Sequence, residues 1–197
     1  MSEDFLKNIE GKERVSGADP YLPFVEGAKR GDRVSQRELY NKLSARMFPV
    51  CLRYISDRDK AKDVLHDGFI TLFSKLNEYR GEGSFEGWAR KIFVTTALMQ
   101  LRKRDILEQA VQVEDVVSVG SELILDPKET SSIDADRLME LILSMPNGFR
   151  AVFNLYAIEG YSHKEIAQML RISEGTSRSQ FNRAKIWLQK RLKNEEK

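Results

Sequence analysis

Apolar residues recur at intervals of three and four along most of the chain, which is the period of an amphipathic helix. The pattern runs from Asp32 to Leu43, from Met47 to Ile55 and from Asp57 to Leu76. The third segment places six apolar residues on one face: Ala61, Leu65, Phe69, Leu72, Phe73 and Leu76. No segment alternates apolar and polar residues as a half-buried strand does. The pattern therefore predicts an all-α fold, with the second helix starting or kinking at Pro49.

A glycine-rich and aromatic segment follows the third helix. Three glycines fall between positions 81 and 87, and three aromatic residues surround them: Tyr79, Phe85 and Trp88. Such a loop can bend sharply and could enclose a planar ligand, for example a nucleobase turned out of a duplex. The alternative is that Phe85 and Trp88 fix the next helix to the core. The phase of Trp88 with the apolar positions after it favours this alternative for Trp88.

The next helix is predicted from about Phe85 to Arg104, with Lys91, Thr95, Met99 and Arg102 on one outer stripe because their spacings are four, four and three. The stripe ends in Arg102, Lys103 and Arg104. A basic stripe beside an aromatic loop suits a site where duplex becomes single strand, with cations on phosphates and the loop on bases.

The C-terminal segment reads as a helix-turn-helix. Ser162 and Glu165 have the spacing of a capping box, a break follows at Arg171 and Ile172, and Ser173 can cap a second helix. That helix buries Phe181, Ala184 and Leu188 and leaves these residues available to a partner: Arg178, Ser179, Asn182, Arg183 and Lys185. The arrangement suits a DNA major groove. A helical hairpin with merely solvated charges is an equally good interpretation of this segment alone.

Charge divides the chain into three blocks. Residues 1–104 hold 20 Lys and Arg against 15 Asp and Glu, net +5; residues 105–136 hold 1 against 9, net −8; residues 137–197 hold 11 against 6, net +5. Phosphate backbones attract the outer blocks and repel the middle one. We therefore predict a frayed tail over 1–20, helical domains over 21–104 and 137–197, and a largely irregular acidic linker over 105–136. Its apolar residues dock either in a partner's groove or on the chain's own domains.

Catalytic chemistry finds little support in the sequence. His66 and His163 are the two histidines, and neither has the spacing of a metal ligand or of a nucleophile–base pair. The glycines of 81–87 are not followed by the Lys and Ser or Thr of a phosphate-binding loop. Asp57 and Asp59 are better explained as capping residues, and the single cysteine, Cys51, as a small buried residue. We expect no enzymatic activity, metal or cofactor.

Four segments, in order, resemble the sigma-70 family of bacterial RNA polymerase sigma factors, in its extracytoplasmic-function (ECF) group. They are the Gly31-Asp32 start, CLRYI at 51–55, AKDVLHDGFI at 61–70 and YRGEGSFEGW at 79–88, followed by the helical segment from Leu143 to Leu192. The similarity covers residues 21 to about 192. The string from Gly81 to Trp88 resembles the variant of the Bacteroidetes branch.

The resemblance implies a promoter-specificity subunit of two helical domains. Residues 21–104 would be sigma domain 2, 105–136 a linker threading toward the active-centre cleft, and 137–197 sigma domain 4. Contacts with the clamp helices of the largest polymerase subunit would involve Asp63, His66, Asp67 and Phe69. The −10 element would be bound by Glu82, Ser84, Phe85, Trp88, Lys91, Thr95, Arg102, Lys103 and Arg104. The −35 element would be read by Thr176, Arg178, Ser179, Asn182, Arg183 and Lys185.

The chain also departs from the family pattern. His66-Asp67 replaces a usual Gln-Glu pair, and Thr95 and Met99 stand where Asn or Asp is common. Arg171 replaces a small residue of the helix turn, and Ser177 replaces an apolar residue, so we expect a slightly poorer core there.

The expected partners are core RNA polymerase, through its clamp helices and flap, promoter DNA and an anti-sigma protein. We expect a cytoplasmic protein with no membrane insertion and no small-molecule substrate. Two other interpretations stay open: a stand-alone helix-turn-helix regulator, and a protein-interaction adaptor.

Overall fold

The computed structural model describes residues 19–102 and 135–195, and every regular element in these two ranges is helical. The all-α prediction is therefore confirmed. The chain divides into two compact units at Leu101 and Arg102. Several predictions concern residues outside the described ranges: the tail up to residue 18, Lys103, Arg104 and the linker from 105 to 134.

The described residues of the first unit form four α-helices. They are α1 (Leu22–Lys29), α2 (Arg33–Tyr54), α3 (Arg58–Ser74) and α4 (Phe85–Arg102), with a short 3₁₀ turn (Leu76–Glu78) after α3. Aspartates begin two of them. Asp32 accepts hydrogen bonds from the backbone N–H groups of the first turn of α2, and Asp57 does the same for α3, which confirms its predicted capping role. The pKa of Asp32 is lowered first by the hydrogen bond from the Ser35 hydroxyl and then by that from the Ser35 backbone N–H, and the pKa of Asp57 is lowered first by the hydrogen bond from the Lys60 backbone N–H.

Helix α2 is continuous across Pro49, so the prediction of two separate helices in this region was wrong. A proline inside a helix costs about 3 kcal/mol because it removes one hydrogen bond and crowds the preceding turn. Pro49 lies on the exposed side, while Met47, Val50 and Tyr54 are buried on either side of it. Burial of each such side chain contributes about 1.5–3 kcal/mol, which is enough to hold the helix together through the proline.

Helices α3 and α4 cross closely at a glycine. A Cβ atom at Gly68 would lie 2.3 Å from Cδ1 of Phe93, so no larger residue fits without movement of that fully buried ring. Phe69 packs edge-on against Phe93, with 5.1 Å between ring centroids. Cys51 is buried in α2, and burial raises the pKa of its thiol to about 12. The thiol therefore stays protonated and unreactive, in agreement with the predicted role of a small buried residue.

The second unit comprises α5 (Ala135–Ser144), α6 (Asn147–Phe153), a π-helical turn (Asn154–Ile158), α7 (His163–Leu170) and α8 (Glu174–Glu195). Buried Arg150 on α6 joins the first two helices, since its guanidinium donates to the carbonyl of Leu143 at 2.6 Å and to that of Met145 at 3.4 Å. These carbonyls belong to the end of α5, where no intrahelical donor is available. Arg150 therefore caps that helix from the next one.

Candidate nucleic-acid and protein interfaces

The helix-turn-helix has the local structure that the sequence predicts. Ser162 and Glu165 form a complete capping box at the start of α7, and Ser173 accepts the backbone N–H of Thr176 at 2.9 Å at the start of α8. The turn between them is made by Arg171, which takes the left-handed conformation with φ of 57°. A non-glycine residue rarely adopts this conformation. The side chain of Arg171 is exposed, and its backbone N–H donates to the carbonyl of Ala167, so the residue ends α7.

Buried Ser177 tethers the two helices of the motif. Its hydroxyl lies 2.9 Å from Nδ1 of His163, the first residue of α7. The His163 ring stacks on Tyr156 with 4.3 Å between centroids and an angle of 13°. Burial and, secondarily, the charge of Arg178 lower the pKa of His163. In place of the apolar contact that we expected Ser177 to lose, its hydroxyl forms a hydrogen bond with His163, 14 positions earlier. Helical periodicity does not reveal a contact between residues so far apart.

The side chains on the outer surface of α8 fall into three lines along the helix: a central line opposite the buried side, and one line at each edge. Its buried line includes Ser177, Phe181, Ala184 and Leu188. At about 100° per residue, Ser179 and Asn182 lie nearly opposite this line, and both are exposed. Arg178 and Lys185 share one edge because they are two turns apart, and Thr176 and Arg183 share the other for the same reason.

The two cations of the first edge interact with neighbouring side chains. Nη2 of Arg178 lies 2.5 Å from Oε1 of Glu174, one turn earlier on the same exposed surface. Nζ of Lys185 lies over the ring of Phe181, 5.3 Å from its centroid. On the other edge, the hydroxyls of Thr176 and Ser173 are 2.8 Å apart. The six residues predicted for this interface therefore lie on one surface but in three different local environments.

Three aromatic rings pack against one another in residues 79–88, which we call the aromatic loop. The centroid of Tyr79 lies 5.1 Å from that of Phe85 and 5.3 Å from that of Trp88. Tyr79 and Phe85 are buried, Phe85 completely, and Trp88 is half-buried. The Phe85 ring is thus part of the core and has no face for a base. The prediction that it contacts DNA must be corrected, whereas Trp88 keeps part of its ring accessible.

The tip of the loop is polar and exposed from Arg80 to Ser84. Gly81 and Gly83 have φ of 81° and 77°, a conformation that favours glycine. The Tyr79 hydroxyl donates to the carbonyl of Gly83 at 2.9 Å and holds the tip over the rings. Glu82 is therefore exposed on a loop whose backbone is fixed by this hydrogen bond. A second hydrogen bond joins the N–H of Gly87 to the Ser84 hydroxyl, which accepts it at 3.1 Å.

The predicted outer stripe of α4 is present over the described part of the helix. Lys91, Thr95 and Met99 are exposed, and Arg102 is half-buried. The Thr95 hydroxyl donates to the carbonyl of Lys91 at 2.7 Å, so its hydrogen is used within the helix. The stripe therefore offers cations and an apolar thioether, and its threonine can present only acceptor lone pairs.

Helix α3 exposes a mixed acidic and apolar face. Asp63, His66 and Asp67 are exposed, as an interface requires. Phe69 is only 4% exposed and packs on Tyr40 with 4.5 Å between centroids, so its predicted surface contact must be corrected to a core role. Its neighbour Ile70 is 65% exposed.

Ile70 is a large apolar residue on the exposed side of α3 that the sequence-based prediction of this interface did not include. It follows Asp63 by two turns of helix and follows His66 and Asp67 by one turn, so all four share the exposed side. The available signal was this spacing, which places Ile70 and not Phe69 in phase with the acidic residues. We call this surface, Asp63, His66, Asp67 and Ile70, the α3 face.

Within the described residues, no three His, Cys, Asp or Glu side chains are grouped closely enough to hold a metal ion. Over the same residues, no helix combines the length and the apolarity needed to cross a bilayer.

Comparison with known proteins gives two matching family models. Residues 39–107 match sigma-70 region 2, and residues 135–188 match sigma-70 region 4. The chain is 26% identical over 176 residues to the ECF RNA polymerase sigma-E factor of Haemophilus influenzae, covering 85% of this chain and 93% of that relative. It is 28% identical over 177 residues to the RNA polymerase sigma-H factor of Pseudomonas aeruginosa, covering 85% and 91%.

Among solved structures, the chain is similar to the sigma factor RpoE of Bartonella quintana, determined in complex with the anti-sigma factor NepR. The TM-score is 0.49 with 25% identity, over 80% of this chain and 95% of that one.

Proposed function

The chain belongs to the sigma-70 family as an ECF sigma factor, which directs core RNA polymerase to promoters for transcription initiation, and from this premise we propose how its surfaces divide the work. The observation that carries the proposal is the presence of two region models, in family order, on two separate compact units. A stand-alone regulator or an adaptor would not account for the region 2 match.

The outer surface of α8 reads the −35 element. The exposed centre, Ser179 and Asn182, suits contacts with base edges, because an asparagine amide can pair with adenine and serine can accept or donate. The edge residues Arg178, Lys185 and Arg183 suit phosphates, which flank a helix lying in the major groove. Thr176 joins Arg183 on its edge, close to the start of the helix.

The aromatic loop and α4 act at the −10 element. A base turned out of the duplex would stack on the accessible part of Trp88 and meet Glu82 and Ser84 at the exposed tip. Lys91 and Arg102, together with Lys103 and Arg104 that follow in the sequence, would hold phosphates, and Thr95 would contribute an acceptor. Phe85 supports this surface from the core.

The α3 face binds the clamp helices of the largest polymerase subunit. Its acidic residues and the exposed Ile70 one turn beyond them fit a basic helix with an apolar stripe, a combination that gives both steering and buried area. We extend the proposal to contact of the second unit with the polymerase flap and to inhibition by an anti-sigma protein. We further propose that this chain acts in the cytoplasm, where membership of the family supports its role, and that it has a Bacteroidetes-like origin, which the Gly81-to-Trp88 string supports.

Reconstituted transcription tests this function. Core polymerase with the purified chain is expected to initiate at defined genomic promoters, whereas core polymerase alone is not. Start sites mapped by RNA sequencing would yield a shared −35 and −10 pattern. Robust sequence-specific binding of duplex by the chain without polymerase, together with no initiation, would contradict the assignment, provided that core binding is demonstrated for the same preparation.

Asn182 and Arg178 should respond differently to alanine. Asn182→Ala is expected to lose about 1–3 kcal/mol of discrimination at a single base pair of the −35 element. Arg178→Ala is expected to weaken all −35 sequences about equally and to reduce the salt slope of binding by about one. Holoenzyme affinities for a set of −35 variants, measured at two salt concentrations, separate the two effects. A uniform loss for Asn182→Ala would mean that it contacts phosphate.

A further inference from the structure

The start of α4 is capped by a residue from the other end of the unit. The backbone N–H of Phe85 donates to Oδ2 of Asp19 at 2.7 Å, and Oδ1 of the same carboxylate accepts the N–H of Tyr21 at 3.0 Å. Asp19 precedes Phe85 by 66 positions. The side chain of Ser84, the residue before α4, accepts a hydrogen bond from the N–H of Gly87. Asp19 accepts the N–H of Phe85, one of the first N–H groups of α4, which have no acceptor within the helix.

A second link binds the same segment to the next residue of α4. The Tyr21 hydroxyl donates to Oε2 of Glu86 at 3.3 Å, and Nη1 of Arg46 donates to the same oxygen at 2.8 Å. The Tyr21 ring lies 5.8 Å from that of Phe85. Burial, followed by the charge of Glu86, raises the pKa of Tyr21 to about 12, so its hydroxyl keeps the proton that it donates.

The opposite end of the aromatic loop is held from α1. Nζ of Lys29 donates to the carbonyl of Tyr79 at 3.1 Å and lies 5.9 Å from the centroid of the Tyr79 ring. The segment from Asp19 to Lys29 thus contacts the loop at Tyr79 and at Phe85, on the two sides of its exposed tip. Between these points only the exposed tip is free to meet DNA.

We infer that Asp19 is a positioning residue for base reading at the −10 element, acting through the start of α4. The inference rests on the proposed role of the aromatic loop. A tip with two glycines loses much conformational freedom when it binds a base, and a loop already fixed at both ends loses less. A fixed tip also cannot adjust to the edges of a wrong base, so Asp19 contributes to base discrimination without touching DNA. Its effect is confined to the bases that the loop contacts.

The test measures base discrimination by holoenzyme reconstituted with the full chain. Binding is measured to single-stranded non-template oligonucleotides that carry each of the four bases in turn at every −10 position. Asp19→Ala removes a charge-assisted acceptor and is expected to reduce the discrimination ratio about tenfold at the one or two positions that the loop reads. Asp19→Asn retains one acceptor oxygen and should recover part of the ratio. Core affinity and −35 binding should not change.

Asp32→Ala is the matched control. Asp32 caps α2 in the same unit, accepting the N–H groups of Val34 at 3.3 Å and Ser35 at 3.0 Å, and it does not contact the aromatic loop. It should lower the thermal midpoint of the unit by an amount similar to Asp19→Ala and leave the discrimination ratio unchanged. This comparison separates a loss of stability from a loss of positioning.

Two results would overturn the inference in different ways. If Glu82→Ala alters discrimination but Asp19→Ala does not, Asp19 is a structural cap only. If neither variant alters discrimination at any position, the loop does not read bases, and the proposed role of the loop fails together with the inference.

Discussion

Replacing Ile70 with aspartate is expected to reduce the affinity of the chain for core polymerase about 100-fold, which corresponds to about 2.7 kcal/mol. Ile70 is 65% exposed on the α3 face, one turn of helix after Asp67. A large apolar side chain on a helix-docking surface is buried by the partner, whereas the new carboxylate would have to be desolvated there.

The matched control for Ile70→Asp is Val34→Asp. Val34 is 70% exposed on α2, outside the α3 face, so the same chemical change there should leave core affinity unchanged. Both variants should keep the thermal midpoint of the parent, because neither removes a buried side chain. Fluorescence titration of labelled core polymerase measures the affinities. Equal affinities for Ile70→Asp and the parent chain would refute the assignment of the α3 face.

Phe69 shows where helical periodicity and the family resemblance lead to different predictions. The period of apolar residues in α3 placed Phe69 on the buried face, which the structure confirms, whereas the resemblance placed it in a surface contact. The Phe69 ring is buried because it packs against the rings of Phe93 and Tyr40. Phe85 was misassigned to the DNA surface for a similar reason, because its burial depends on Tyr79 and Tyr21.

Helix starts were predicted correctly wherever the cap is local. Asp57, the pair Ser162 and Glu165, and Ser173 all cap the helices that they precede, because a side chain and the N–H groups two or three residues later are brought together by the helix itself. Such signals need no knowledge of the tertiary fold. They account for most of the element boundaries that could be placed from the sequence.

Contacts between distant residues could not be predicted in this way. Asp19 and Phe85, Ser177 and His163, and Arg150 and Leu143 are joined by single hydrogen bonds between different elements. Each pair has ordinary residue types at unremarkable spacings. Pro49 is the converse case, in which packing around the proline overrides the local preference for a helix break.

Arg150→Met is expected to destabilise the second unit by about 3 kcal/mol. Methionine fills a similar volume but donates no hydrogen bond. The carbonyls of Leu143 and Met145 at the end of α5 would lose the donors that reach them at 2.6 Å and 3.4 Å. The side-chain oxygen of Asn147 would lose a third contact from the same guanidinium. Arg150 is 3% exposed, so water does not readily replace these donors.

Arg137→Met provides the comparison within the same unit. Arg137 forms an ion pair of 2.6 Å with Glu140, and the two side chains are 45% and 66% exposed, so its loss should cost less than about 1 kcal/mol. The chain has two tryptophans, Trp88 in the first unit and Trp187 in the second. Urea unfolding followed by Trp187 fluorescence, in a Trp88→Phe background, therefore reports the second unit alone. Equal midpoints for Arg150→Met and Arg137→Met would mean that the end of α5 does not depend on Arg150. A much lower midpoint for Arg150→Met would make this buried cation the main link between α5 and the helix that follows it.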